Sequence, residues 1–251
     1  MRYFNPQEIK NENRVEIKQQ LQHHIGKNLR DSFAINLTSV HIIQSGWDKD
    51  CNILDLGSAG GRFAQQLSQN GYKNIHSVDI DDYLSDPNRP LIKDFRTADL
   101  SFDKLPWQDN LFKVATAWCV LPHLENPFHC VREIHRVLEP GGLFIFSAPN
   151  MLSKASMDYF LNKGDFGSYK NSNNHLVIFT PAIIEKTVLK YFDIVTIEYH
   201  IRDKVFNRKL AGKLRKLVYD IVVKTSGKIK KTLEKRWAYN AIYVLKKKTE
   251  T

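Results

Sequence analysis

Asn52-Ile53-Leu54-Asp55-Leu56-Gly57-Ser58-Ala59-Gly60-Gly61-Arg62-Phe63 is the stretch whose reading decides the fold. Ile53, Leu54 and Leu56 make a short apolar run that reads as a buried parallel strand. Gly57 to Gly61 are too small and too flexible to extend it, so the chain must turn. Phe63, Ala64 and Leu67 then recur at helical spacing, and Asn70-Gly71 stops the helix. Strand, small-residue turn and helix is the entry unit of a doubly wound α/β domain. It brings backbone amides to a ligand at the helix N-terminus. A dinucleotide site would read G-x-G-x-x-G, with an acidic residue further on for the ribose. Here Asp55 precedes the first glycine, giving D-x-G-x-A-G-G. A carboxylate at that place repels a pyrophosphate and suits a ligand with a cationic end.

Further units follow the same plan. Asn74 to Asp79 reads as a second strand, again ending in an acid, and Phe95 to Leu100 as a third unit carrying Asp99. Ligands of open α/β sheets lie off the carboxyl ends of the strands, where Asp79 could accept both hydroxyls of a ribose. Phe112 to Trp118 reads as the fourth strand and Leu121-Pro122-His123 starts a loop. Asn126-Pro127 caps a helix that Pro140-Gly141-Gly142 is expected to end. Leu143 to Ser147 reads as a fifth strand, and residues 151 to 175 as a long polar and aromatic loop of the kind that shapes an acceptor pocket. Thr180-Pro181 caps another helix, and Asp193 to His200 and Asn240 to Lys246 read as the last strands.

Residues 1–46 read as an N-terminal helical cap. Ile17, Leu21, Ile25 and Leu29 fall on one face, and Asp31-Ser32 precedes a second run. The core spans 47–200, a basic amphipathic helical insertion 201–238, and the final strand with a basic tail 239–251. The net charge of +10 is concentrated in one segment. Arg202 to Arg236 carries thirteen Lys/Arg against three Asp/Glu, and the rest of the chain balances. Leu210, Leu214, Leu217, Val218 and Ile221, then Ile229, Leu233 and Trp237, make a stripe flanked by lysines. Two occupants suit residues 202–236: an anionic membrane surface, or the sheet edge with a solvated lysine face. Nucleic acid ranks last, because the basic residues interleave with an apolar stripe more than with stacking aromatics. No stretch of about 18 apolar residues and no secretory h-region is apparent, and three cysteines without metal spacing read as reduced thiols. The expectation is a cytoplasmic protein, with peripheral contact to a membrane as the open alternative.

Leu105-Pro106-Trp107, the Phe112 strand, His123-Leu124-Glu125-Asn126-Pro127 and Arg132 to Gly142 (R-E-I-H-R-V-L-E-P-G-G) together resemble the class I S-adenosylmethionine-dependent methyltransferases of the type 11-like kind. The resemblance is close over 51 to about 150 and loose to 198. It implies a Rossmann-like, doubly wound sheet of seven strands, mostly parallel with an antiparallel last strand, and S-adenosylmethionine as cofactor. It implies that Asp55 and Gly57 hold the methionine amino end, with Ser58, Ala59, Gly60 and Gly61 letting backbone approach the ligand. Asp79, beside Ile80, would take the ribose hydroxyls. Asp99 and Leu100 would face the adenine, and Ala117 and Trp118 would border the sulfonium. Ala59 stands where the family has a middle glycine. Cys119 and Pro122 stand where quinone-pathway relatives place metal-binding glutamates, so no metal is expected. A hydroxyl or amine acceptor needs a base, for which His123 and then His175 are the candidates. The expected reaction is methyl transfer to a small-molecule, glycan or lipid-linked acceptor, most readily at oxygen. A cofactor-binding protein without transferase activity, docked through the basic segment, is the alternative from another class, and a nucleic-acid methyltransferase the third.

Overall fold

A computed structural model describes residues 47–169, 174–201, 214, 216, 217, 219, 220 and 227–249. The cap expected over 1–46 and most of the stripe expected over 202–226 lie outside the described residues.

The Gly-rich unit folds as its residues dictate. Strand β1 (Ile53–Leu56) is buried at all four positions, and helix α1 (Arg62–Gln69) buries Phe63, Ala64 and Leu67 on one face. Strands β2 (Ile75–Asp79), β3 (Asp94–Thr97), β4 (Phe112–Trp118) and β5 (Leu138–Pro149) run parallel to it. Strand β7 (Asn240–Lys247) is inserted antiparallel between β5 and β6 (Phe192–His200). The resulting order is β3-β2-β1-β4-β5-β7-β6. This is the seven-stranded, Rossmann-like α/β sheet expected, with the last strand antiparallel. The order reverses between β1 and β4, where strands laid outward in one direction meet strands laid outward in the other. That switch point opens a crevice off the strands' carboxyl ends.

Two apolar layers enclose the sheet. On one face, α1 and Tyr72 pack on Ile53, Ile75, Val114, Ile145 and Val244. On the other, helices α2 (Pro127–Val137) and α4 (Pro181–Thr187) cover Leu54, Ala115, Phe144 and Phe146. Both helices start as read. Asn126 accepts from the His129 amide at 3.1 Å, and Thr180 from the Ile183 amide at 3.3 Å.

Two expectations need correction. Pro140-Gly141-Gly142 does not end α2, which stops at Val137; it lies inside β5. Leu138 already pairs with Phe112, and the register then jumps to Val114 opposite Leu143. One residue of β4 thus faces four of β5, which bulge out of the ladder. At Gly142 a Cβ would press on the carbonyl oxygens of Glu139, Lys113 and Phe112 at 2.9–3.2 Å, so the bulge closes only around glycine. The second correction concerns the expected loop 151–175, which contains helix α3 (Lys154–Lys163). Ser153 caps α3, accepting from the Ser156 amide at 3.1 Å, and Gly164 ends it with φ +71°. None of its side chains is buried, so it has no apolar face turned to the core for a pattern reading to find.

Much of the motif that carries the resemblance turns out to be structural. Arg136 of α2 donates to the carbonyls of Leu105 (2.9 Å) and Trp107 (2.8 Å) and to the carboxylates of Glu133 and Asp109 (both 2.7 Å). Glu133 in turn accepts from the Leu105 amide at 2.8 Å, and the Trp107 indole donates to Asp94 at 2.9 Å. The Leu105-Pro106-Trp107 loop is thereby tied to α2 and to β3. Arg136→Ala should leave buried carbonyls and the Glu133 carboxylate without their donor and cost about 3 kcal/mol. A thermal melt should fall by roughly 6–12 °C, with Arg136→Lys recovering part of the loss; an unchanged melt would remove this tie from the account.

Candidate active site

Each of the first three strands delivers a carboxyl group to the crevice. Asp55, on β1, pairs in register with Thr116 of β4, across the switch point. It is 1% exposed, and its Oδ1 accepts from the Thr116 hydroxyl at 2.9 Å. Burial pushes its pKa up to about 7, with the nearby Asp79 charge adding to the rise against the Thr116 hydrogen bond. Asp79 ends β2. Its Oδ2 accepts from the Ala59 amide (2.9 Å) and its Oδ1 from the Ile80 amide (2.8 Å). Burial nonetheless raises it to about 6. Asp99 lies two residues beyond β3 and is also buried. Its Oδ1 accepts from the Ser101 amide at 2.9 Å, while its Oδ2 has no donor among the described residues.

The Gly57–Gly61 turn closes against these acids. Gly57 has φ +67°, and a Cβ there would sit 2.4 Å from Cγ2 of Val120. Gly61, at the N-terminus of α1, has φ +77°. Both positions therefore demand glycine. Ala59 has φ 44°, a left-handed conformation that costs a side-chain-bearing residue about 1 kcal/mol. Its amide bond to Asp79 holds it there. The Gly60 carbonyl accepts from Ser85 Oγ (2.9 Å) and Asn88 Nδ2 (2.8 Å). Those two residues clamp the turn from the β2–β3 connection. Sequence reading missed both, because they lie about 25 positions away in an irregular segment. Ser58 is buried, and its hydroxyl has no partner among the described residues.

Strand β4 supplies the fourth side. Ala117 is fully buried, and the indole N–H of Trp118 is buried without an acceptor among the described residues; the Trp118 ring stands edge-on to Phe63 at 5.8 Å. Cys119 follows with φ 51°, its amide donating to Ser147 Oγ at 3.0 Å. The chain then makes a short 3₁₀ turn, Leu121–His123. The segment after α3 returns to this turn, where the Leu176 and Val177 amides both donate to the Pro122 carbonyl (2.7 and 3.1 Å).

That return brings His123 and His175 together, with ring centroids 4.4 Å apart. His123 Nδ1 lies 3.3 Å from the Asn174 carbonyl and His175 Nδ1 2.5 Å from that of Ser168. A carbonyl can only accept, so both rings carry their proton on Nδ1 and present a lone pair on Nε2. Burial, reinforced by the neighbouring ring, holds His123 down to about 4, and burial lowers His175 too. Both imidazoles are therefore neutral at pH 7. Tyr169, one of the aromatics of the 151–175 segment, lies tilted against His175 with ring centroids 5.2 Å apart and donates to the Val177 carbonyl at 2.9 Å. Its neighbour relation to the histidines depends on a chain reversal that no local pattern announces.

The crevice thus gathers Asp55, Gly57, Ser58, Ala59, Gly60, Gly61, Asp79 and Ile80 around the turn. Asp99 and Leu100 lie past the next strand. Ala117 and Trp118 close the far side, with the histidine pair on the turn beyond. Its features fit a ligand of mixed character. It offers an acceptor oxygen on Asp99 and a buried carboxyl on Asp55 that a cation would ionise, beside a turn closely approached by backbone. Among the described residues no group of three His, Cys, Asp or Glu side chains is placed to hold a metal ion.

Comparison with known proteins agrees with this geometry. Residues 54–146 match a family model described as a methyltransferase domain. Ubiquinone biosynthesis O-methyltransferase of Pseudomonas aeruginosa (strain UCBPP-PA14) is 29% identical over 111 residues, 41% of this chain and 46% of that protein. Dimethylglycine N-methyltransferase of Parasynechococcus marenigrum (strain WH8102) is 25% identical over 103 residues, 39% and 37% of the two chains. The chain thus spans less than half the length of these curated relatives. In fold it is similar to a chain of the complex between the Haloferax volcanii Trm112 methyltransferase activator and a putative methyltransferase (TM-score 0.64, 14% identity, 95% of this chain and 98% of that one). A putative methyltransferase of Bacillus halodurans gives a TM-score of 0.54 at 15% identity, over 84% and 99%. Residues 54–146 thus carry the match to a methyltransferase domain, in keeping with the resemblance to the class I S-adenosylmethionine-dependent methyltransferases.

Proposed function

We propose that the protein transfers a methyl group from S-adenosylmethionine to a small-molecule, glycan or lipid-linked acceptor, at an oxygen. The observation that carries the reading is the pairing of two halves in one crevice: three buried acids around a glycine turn, and beside them two neutral imidazoles, each with its Nδ1 bonded to a backbone carbonyl. When bound, the cofactor supplies the activated methyl group. The protein's own task is to hold, orient and keep water out. Asp55 would face the cofactor's ammonium group, Asp79 its ribose and Asp99 its adenine, with Ala117 and Trp118 walling the reacting end. His123 Nε2, or His175 Nε2 next to it, would take the proton from an acceptor hydroxyl. The curated relatives include both an oxygen and a nitrogen methyltransferase; the proton-accepting pair favours oxygen, because a hydroxyl becomes a competent nucleophile only as its proton leaves.

The surface above the crevice supports contact with an anionic bilayer. On α3, Leu161 is 76% exposed, with Met157 and Phe160 half-exposed. Helix α5 (Gly227–Trp237) packs beside α3 with Ile229, Lys231, Lys235 and Arg236 turned outward, and Leu214 and Leu217 are exposed as well. Apolar residues ringed by lysines suit a lipid interface. No helix among the described residues is long and apolar enough to cross a membrane. The protein should sediment with vesicles containing phosphatidylglycerol and not with pure phosphatidylcholine, and Leu161→Glu with Ile229→Glu should abolish it. Equal partition between the two vesicle types would end the membrane proposal.

The buried acids make cofactor binding pH-dependent. Asp55 keeps its proton up to about pH 7 in the free protein. A cationic ligand beside it favours the carboxylate, so binding expels a proton and affinity rises with pH until the free group is itself ionised. Calorimetry with S-adenosylhomocysteine should show an affinity gain of about tenfold between pH 5.5 and 7.5, with proton release at the acid end. Asp55→Asn should bind weakly and lose that slope; a wild-type affinity flat across this range would contradict the placing of Asp55.

The imidazoles give the opposite kind of signal, in turnover. A base whose pKa is held at about 4 stays unprotonated well below the pH at which an exposed histidine would fail. At saturating cofactor the acid limb of kcat should fall near pH 4 instead of 6.5. His123→Ala should lower kcat by about 10²–10³-fold while leaving S-adenosylhomocysteine affinity unchanged. An unaltered kcat in both His123→Ala and His175→Ala removes the base from the mechanism.

A further inference from the structure

Beyond the end of β5 lies a cavity of about 150 Å³ that plays no part in the crevice described above. Phe179, Ile184, Leu189 and Ile197 wall it, contributed by α4, the segments on either side of it and β6. A dry apolar cavity of this size accepts a body of roughly six carbons, about that of a benzene ring. Its polar groups are few and distinctive. Tyr199 and Tyr243 both line it, and neither hydroxyl has a hydrogen-bond partner among the described residues. Lys235 is exposed at its rim and makes no ion pair among the described residues. Among the described residues no acidic side chain lines the cavity.

The lysine is held there by design of the backbone. Asn150, next along from the last residue of β5, donates from Nδ2 to the carbonyls of Lys235 (2.7 Å) and Ala238 (3.1 Å) and accepts the Leu152 amide at 3.2 Å on Oδ1. The Asn150 amide is therefore committed to pinning the end of α5 over the cavity. That leaves one ammonium and two phenol hydroxyls to meet an occupant, all of them donors to an anion and with apolar walls behind. Burial raises both phenols, so they remain protonated donors at neutral pH.

The cavity also stands at the correct end of the sheet. Pro149, at its edge, pairs with Asn240, whose side-chain amide lies 4.0 Å from Cys119 Sγ at the end of β4. From β4 to the β7 and β6 walls is two to three strand spacings, roughly 10–14 Å. We infer that this cavity is a binding site for an apolar anion, a carboxylate or phosphate carried on a short hydrocarbon body, and that such a group is the distal end of the methyl acceptor. The second half of that statement rests on the methyl-transfer reading of the crevice; the first does not.

Calorimetry on the full chain with octyl phosphate and octanoate, against octanol and inorganic phosphate as controls, tests it. Both amphiphilic anions should bind one site per chain, and the two controls should bind at least tenfold more weakly. Lys235→Gln should weaken octyl phosphate by about tenfold. Ile197→Trp, which fills the cavity, should abolish binding; Tyr199→Phe, which leaves the packing intact, should weaken it and serves if the tryptophan variant melts early. Saturating S-adenosylhomocysteine should leave octyl phosphate affinity unchanged, because the two sites are strands apart. Octanol binding as tightly as octyl phosphate, indifference to Lys235→Gln and Tyr199→Phe, or displacement by S-adenosylhomocysteine would each overturn the inference. Failure of S-adenosylhomocysteine to bind, with octyl phosphate binding intact, would count against the cofactor reading alone.

Discussion

A carboxyl group buried at the point where a parallel sheet reverses its strand order is expensive, and here its surroundings are arranged around that cost. Asp55 sits on a strand with no exposed residue, one hydrogen bond from Thr116 on the neighbouring strand. Removed from water, it holds its proton up to about pH 7, and a second buried carboxyl, Asp79, sits near enough to raise it further. Such an arrangement stores an unmet demand for positive charge. The order of residues explains why the demand is met from outside. Asp55 stands before the glycine turn, not after it, so the turn's backbone and the acid converge on the same space. A lysine or arginine in that space would satisfy the acid permanently and close the site. Among the described residues no cationic side chain acts on the Asp55 carboxyl.

The turn obeys a related constraint. Gly57 must be glycine because Val120 occupies the place of its Cβ, and Val120 belongs to the turn that carries His123. The contact that forces glycine on one half of the crevice thus fixes the distance to the other half. Ala59 keeps a left-handed backbone although it has a side chain, and its amide is bonded to Asp79. Strain in the turn and the alignment of β2 are therefore one feature. Ser85 and Asn88 brace the turn from the far side. A turn held at both ends reorganises little when a ligand arrives, which is where affinity is gained in sites of this kind.

What could be read from the sequence depended on how local its cause was. Strand β4 was legible to its end residues because Phe112 to Trp118 is a buried apolar run. The caps at Asn126 and Thr180 were legible because a side chain three residues away from its amide partner is a short-range fact. The three acids were legible as a set because each lies at or just past the carboxyl end of its own strand. Helix α3 was not, since none of its side chains is buried and periodicity is an imprint of burial. The extent of β5 was hidden by Pro140-Gly141-Gly142, which looks like a helix stop and is a bulge. The histidines were found singly and in the correct loops, but their pairing was not, because it depends on the Leu176 and Val177 amides meeting the Pro122 carbonyl more than fifty positions back. The resemblance motif was found for its recurrence, and its physical reason, Arg136 bridging Leu105 and Trp107 to α2, appears only in three dimensions.

The crevice and the cavity beyond β5 differ in what they ask of a ligand, and the difference bears on how the protein could select an acceptor. On the β1–β3 side the three acids are buried, and Asp79 and Asp99 are already bonded to backbone amides, so the fit is rigid and narrow. In the cavity the groups are a pair of phenols, a lysine and apolar walls. Donors of that kind tolerate a range of anions but discriminate sharply against a neutral or cationic end. Specificity in the donor half then comes from shape and fixed dipoles, and in the other half from charge and apolar volume. The histidine pair lies between them, neutral and short of a proton, where it makes no demand on the charge of either ligand. On the proposed reading, that neutrality would let a cationic donor and an anionic acceptor share one sheet edge without the base favouring one over the other.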